Sequence, residues 1–120
     1  MEDLIQWVII IGVAFFVASR FMPAKGVQSI STEDAENRLK DKNVQFVDVR
    51  TPGEYKTASK KPFKNIPLSE LPRRSKELDK DQEVMLLCQS GMRSMKAAKV
   101  LKKQGFSKVT NVRGGIGSWG

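Results

Sequence analysis

The sequence predicts an α/β domain built on a mostly parallel sheet. Two observations carry that expectation. The runs at 44–49 and 84–88 are nearly continuous in apolar character, as strands covered on both faces are, and segments of helical spacing alternate with them. A third observation sets the scale: 120 residues, 40% hydrophobic and 28% charged, suit one compact globular domain and exclude a two-domain enzyme.

The elements follow in chain order. Residues 4–22 read LIQWVIIIGVAFFVASRFM, with no polar side chain from 7 to 18. As a helix, such a segment rises about 28 Å, close to the roughly 30 Å of a hydrocarbon core. A signal peptide would start basic, and this one starts Glu2-Asp3. A buried helix, apolar all round, would ask too much of a domain of about 95 residues, and an interfacial helix would show a polar face. The expectation is a membrane-spanning anchor at 1–22, a linker at 23–26 and a domain at 27–120. Arg20, Lys25, Arg38 and Lys40 come after the apolar run and acids come before it. The positive-inside rule then expects a single-pass protein of the cell membrane with its domain facing the cytoplasm, where Cys88 stays reduced.

Past the linker, Val27 to Ile30 is a weak strand. Ser31-Thr32 ahead of Glu33-Asp34, with Ala35 and Leu39 at helical spacing, predicts an N-capped helix with acids in its first turn. After the strand at 44–49, Thr51-Pro52-Gly53-Glu54 has the spacing of a capping box with proline at the first helical position. Residues 56–64 are basic and irregular, and Asn65-Ile66-Pro67-Leu68 is at most a very short strand. Residues 69–78 can form a helix that tolerates Pro72 in its first turn. VMLLC at 84–88 is the clearest buried strand, with Cys88 as its last residue. A helix over 92–104, marked by Met95, Ala98 and Leu101, should end at Gly105. Residues 109–112 form a last strand leading into Gly114-Gly115.

Composition narrows the chemistry. With one cysteine and no histidine, the chain can form no internal disulfide, no histidine-containing zinc site and no Cys-His or Ser-His dyad. A nucleophile here must be activated by amides, a helix end or a cation. The formal charge of +8 is spread from Arg20 to Lys108 among acids, with few aromatics on which bases could stack, so no nucleic-acid partner is expected. A solvated surface, anionic lipid headgroups or an anionic substrate account for the excess.

The junction Leu87-Cys88-Gln89-Ser90-Gly91-Met92-Arg93-Ser94 is where chemistry concentrates. A buried strand ends at a cysteine, a glycine turns the chain, and a helix begins. Ligands of open α/β sheets bind beyond the carboxyl ends of strands, where helix N-termini present unpaired N–H groups. Amides from Gln89 to Ser94 can curl into a nest that favours thiolate over thiol. Taken with its strand alone, Cys88 would be an inert core thiol; the loop after it argues for reactivity. Arg93 is either a solvated helix residue or a guanidinium that holds an anion and orients the loop.

The segment CQSGMRS at 88–94 resembles the active-site loop of rhodanese domains, and the similarity runs along most of 27–119. The stretch from Asp48-Val49-Arg50 to Glu54-Tyr55 is similar to the family's DVR…EY signature, Asn65-Ile66-Pro67 to its NIP segment, and Gly114-Gly115 with Trp119 to its closing GG…W motif. The resemblance implies a parallel five-stranded sheet flanked by helices, preceded here by one hydrophobic N-terminal helix. It implies Cys88 as the catalytic nucleophile and Gln89, Ser90, Gly91, Met92, Arg93 and Ser94 as its substrate-binding cradle. Four residues separate Cys88 from Arg93, where related phosphatases have five, so the cradle suits a sulfur atom better than a phosphate. The family's usual Gly-His-Ile stretch is replaced by residues 57–64, and the chain stops after Trp119-Gly120, so the last helix is expected to be very short or missing. Asp48 and Arg50 read better as an ion pair than as catalytic groups.

The activity implied is sulfur transfer from a small sulfane donor such as thiosulfate to cyanide or a thiol through a Cys88 persulfide, with no metal or organic cofactor. The rival reading is a membrane-tethered carrier or docking module that holds the persulfide for a protein acceptor and turns over small donors poorly.

Overall fold

The computed structural model describes residues 2–21 and 26–119. Its strands are β1 (Val27–Ile30), β2 (Val44–Asp48), β3 (Lys64–Asn65), β4 (Glu83–Leu87) and β5 (Val109–Val112). Its α-helices are α1 (Glu2–Phe21), α2 (Thr32–Glu36), α3 (Pro52–Thr57), α4 (Leu71–Arg74) and α5 (Met92–Lys103). The strands form one sheet, parallel throughout, in the order β1-β5-β4-β2-β3.

β4 lies at the centre, which is why its sequence is apolar without alternation. Val84, Leu86 and Cys88 pack with Val47, Val49, Leu71, Ala97, Ala98 and Leu101 on the α4–α5 face. Met85 and Leu87 join Ile30, Ala35, Phe46 and Phe63 on the other. Each such fully buried aliphatic side chain contributes about 1.5–3 kcal/mol. Cys88 therefore reaches the sheet edge from inside the better-covered layer.

The local signals operate as their chemistry dictates. Ser31 Oγ accepts from the Asp34 N–H at the start of α2. Thr51 and Glu54 close a reciprocal capping box on α3, with bonds of 3.3 and 3.2 Å. Gly105, at φ +93°, follows the last residues of α5. Three elements differ from the sequence expectation. α2 stops at Glu36, because the bonds from Arg38 and Leu39 shorten to i→i−3 and tighten the chain into turns. Residues 69–78 divide into α4 and a 3₁₀ turn, Ser75–Glu77, with Pro72 in the first turn of α4. β4 ends at Leu87, so Cys88 is the first residue beyond the strand and not its last. The closing helix is very short, as expected: a single 3₁₀ turn, Ile116–Ser118.

The N-terminal helix is present as α1, but the membrane assignment is overturned. Among the described residues, no helix is long and apolar enough to cross a membrane. The run without polar side chains covers only residues 7–18, a rise of about 18 Å against roughly 30 Å of hydrocarbon. Glu2, Asp3 and Gln6 take up the start of the helix. The single-pass cell-membrane location, the cytoplasm-facing orientation inferred from it and the membrane partner therefore fall together. Residues 22–25, which hold most of the expected linker, lie outside the described residues, as does Gly120.

The strand order places the site. From β2 the chain moves outward to β3 on one side, and from β4 it moves to β5 on the other. β2 and β4 are neighbours whose connections leave in opposite directions, which opens a crevice beyond their carboxyl ends. Asp48 ends one strand and Cys88 follows the other.

Candidate active site beyond the central strand

Cys88 is fully buried. Its Sγ accepts a hydrogen bond of 2.8 Å from the Gly91 N–H and donates its own proton to Ser94 Oγ at 3.4 Å. Gly91 makes this approach possible: at φ +102° its amide turns back toward the sulfur, and an added Cβ would lie 3.3 Å from the Gly114 nitrogen. The single hydrogen of Ser94 Oγ has two acceptors in reach, the Gly91 carbonyl at 3.0 Å and Asn111 Oδ1. Gly91 precedes α5, a helix of 12 residues, so the positive end of its dipole is directed at the sulfur.

The backbone on the other side of the sulfur is fixed by the closing motif. Ile116 and Gly117 donate their N–H groups to the carbonyls of Cys88 and Gln89, at 2.8 and 3.0 Å. Gly115, at φ +61° and ψ −162°, lies so close that a Cβ would sit 2.6 Å from the Gln89 carbonyl carbon and closer still to the Cys88 oxygen. Only glycine suits that conformation, and only glycine leaves room for that approach.

Two guanidinium groups flank the loop, and carboxylates hold both. Arg93 grips Glu54 through two bonds, 2.6 and 2.8 Å. The Arg93 guanidinium, with smaller help from the Thr51 cap and against partial burial, holds Glu54 down at about 2. Glu54 in turn keeps Arg93 above its ordinary range; Cys88 and Asp48 add weakly to this. Arg50 is buried, bonded to both oxygens of Asp48 and to the Ala58 carbonyl at 2.5 Å, and its Nη1 reaches Gln89 Oε1 at 3.5 Å. Beside them a cavity of 480 Å³, lined by Arg50, Gly53, Glu54, Thr57, Ala58 and Gln89, opens on the loop.

Of the seven site residues read from the sequence, the structure joins Cys88, Gly91 and Ser94 by direct hydrogen bonds. Gln89 and Ser90 are exposed, with the Gln89 side chain turned to Arg50, and Met92 projects outward at 74% exposure. Arg93 turns to Glu54 on α3 and makes no hydrogen bond to Sγ. Asp48 and Arg50 form the ion pair expected of them. Sequence reasoning missed Asn111, whose signal was an amide inside a buried strand, and the second role of Glu54, which nothing local announces. Among the described residues no group of three or more His, Cys, Asp or Glu side chains could hold a metal ion.

This arrangement directs a backbone N–H and a helix N-terminus at one buried sulfur, whose neighbour Gln89 lines the cavity. The Rhodanese-like domain signature matches residues 31–120. The chain is 38% identical over 94 residues to a protein named Sulfurtransferase from Allochromatium vinosum, covering 78% of this chain and 88% of that one. It is 32% identical over 120 residues to the Bacillus subtilis protein YqhL, covering all of this chain and 94% of the relative. Among solved structures, a Rhodanese-like Domain Protein from Staphylococcus aureus superposes with a TM-score of 0.72 at 34% identity, over 78% of this chain and 91% of that one. The sheet order, the position of the cysteine and these likenesses agree, and the chain belongs to the family of rhodanese-like domains.

Proposed function

We propose that the protein is a sulfurtransferase that carries a sulfane sulfur on Cys88. The observation that carries the reading is the Gly91 N–H bond to Sγ at the start of α5, in the crevice between β2 and β4. The likeness to a protein named Sulfurtransferase supports sulfur transfer in general. In the first step the Cys88 thiolate attacks the outer sulfur of a donor such as thiosulfate. The donor's sulfur–sulfur bond breaks, sulfite leaves with the bonding pair, and Cys88 becomes a persulfide anion. In the second step cyanide, or a thiolate, attacks the terminal sulfur. Thiocyanate or a new persulfide departs, and the Cys88 thiolate is restored. Charge and atoms balance at each step, and neither needs a cofactor.

Amides of the loop and of the first turn of α5, from Gln89 to Ser94, act as preorganised donors to the charged sulfur. The cavity that Gln89 and Glu54 help to line gives donor and acceptor alike an approach to the loop.

Intact-mass measurement tests this reading. Thiosulfate should add about 32 Da, one sulfur atom, at Cys88. Cyanide should remove it as thiocyanate, and Cys88→Ser should abolish both. Folded protein that gains no mass sinks the proposal. A persulfide that cyanide and small thiols fail to discharge, but a protein thiol removes, would replace the enzyme with a sulfur carrier.

A further inference from the structure

We propose that Asn111 is a positioning residue for the Cys88 sulfur and acts through the Ser94 hydroxyl; the inference rests on reading Cys88 as the reactive thiol. Asn111 lies in β5, whose parallel register with β4 pairs it with Leu86, two residues before Cys88. The strand is otherwise Val109, Thr110 and Val112, and all four residues are buried. An amide in that position is costly unless it has partners. Its partner is Ser94, itself fully buried, so water does not substitute for it.

The hydroxyl of Ser94 has one hydrogen and three neighbours that could take it: the Gly91 carbonyl, Asn111 Oδ1 and the Cys88 sulfur. In the thiol state the S–H donates to Ser94 Oγ, and the hydroxyl hydrogen is free for Asn111 or Gly91. Once the sulfur loses its proton to solvent it can only accept, and Ser94 serves it by turning its hydrogen to Sγ. Oγ then needs a donor. A carboxamide satisfies both states, because rotation about its last bond presents Oδ1 to a donating hydroxyl or Nδ2 to an accepting one. Aspartate, of nearly the same shape, can only accept. Leucine can do neither.

The charged groups near the sulfur on its neighbours are Arg93 on α5, paired with Glu54 on α3, and Asp48 at the end of β2, paired with Arg50. β5 contributes none. These groups stay constant across substitutions at 111, and Asn111→Asp alone adds a charge to β5.

The test is the rate of Cys88 alkylation by iodoacetamide across a pH series, which reads the thiolate. The full chain would be compared as wild type, Asn111→Leu, Asn111→Asp, Ser94→Ala and the two double variants. Asn111→Asp should raise the midpoint by about one pH unit or more, and Asn111→Leu by less. In the Ser94→Ala background Asn111→Leu should have no further effect. A purely structural asparagine would leave the midpoint of Asn111→Leu in place while lowering the unfolding transition. A wild-type profile for Asn111→Leu, or a shift that persists unchanged without the Ser94 hydroxyl, overturns the proposal. If Asn111→Leu does not fold, the near-isosteric Asn111→Asp carries the test, and a wild-type midpoint there, or a shift undiminished in the Ser94→Ala background, is equally fatal. Alkylation uses no sulfur donor, so wild-type protein that gains no mass from thiosulfate would defeat the sulfur-transfer reading alone.

Discussion

The central strand buries, at each of its ends, a group able to carry negative charge, and it surrounds the two in opposite ways. At its start the Glu83 side chain, 7% exposed, receives two bonds from Arg38 at 2.8 and 2.5 Å, one from the Thr110 hydroxyl at 2.6 Å, and has Lys108 at 3.4 Å. Burial alone would push this carboxyl up; Arg38 first, then Thr110 and Lys108, reverse that and hold it at about 2. At the other end Cys88 meets a backbone amide and a hydroxyl, while the nearby guanidinium groups are committed to Glu54 and Asp48. A side-chain cation in contact neutralises an anion and fixes it for stability. Dipoles stabilise an anion without a partner bonded to its lone pairs from every side, and leave it a nucleophile.

If the reactive end depends on backbone placement, the largest effect should come from Gly115. Gly115→Ala forces a side chain into a conformation reserved for glycine and against the carbonyls of Cys88 and Gln89. It should cost about 3–5 kcal/mol in urea unfolding, strain and overpacking combined. A loss under about 1 kcal/mol would mean that the closing turn does not hold the loop.

The opposite end should respond to charge instead. Arg38→Met leaves Glu83 with Lys108 and Thr110 only, and should cost about 2–3 kcal/mol at neutral pH. Because Glu83 is depressed in the folded state, its contribution is whole above its ordinary value of 4.5 and is lost as pH falls toward about 2. It should account for about 2 kcal/mol of the stability lost by pH 3, a portion that Arg38→Met diminishes. Cys88 alkylation should be the same in wild type and Arg38→Met. A several-fold change in that rate would show the two ends to be coupled.

What the sequence disclosed follows the same division between local and distant interactions. The caps at Ser31 and Thr51, the turn at Gly91 and the stop at Gly105 each depend on residues within four positions, so a few letters are enough to reveal them. The apolar run of β4 announced its burial because both faces are covered. The unread features join residues far apart in the chain: Glu54 with Arg93, Arg38 with Glu83, Ser94 with Asn111. The packing of helices and turns on the sheet creates those contacts, and no pattern within any one segment encodes them. The membrane reading failed for a related reason. It counted the length of the whole segment as span, whereas hydrocarbon would have to accept the polar residues at its start as well.

The smallest effect on stability should attend the residue on which the proposed chemistry depends most. In Cys88→Ser an oxygen replaces the sulfur between the same Gly91 donor and Ser94 hydroxyl, and the side chain still faces Leu86, Ala97 and Ala98. Little volume is lost, no charge is stranded, and the buried hydroxyl finds partners. The change in urea unfolding should therefore stay within about 1 kcal/mol. Glu83→Gln, at the other end of the strand, strands Arg38 beside a neutral amide and should cost more. If Cys88→Ser instead destabilises the fold by several kcal/mol, the sulfur is part of what holds the sheet edge together. The separation between a stabilising end and a reactive end would then fail, even if thiosulfate still loads the wild-type protein.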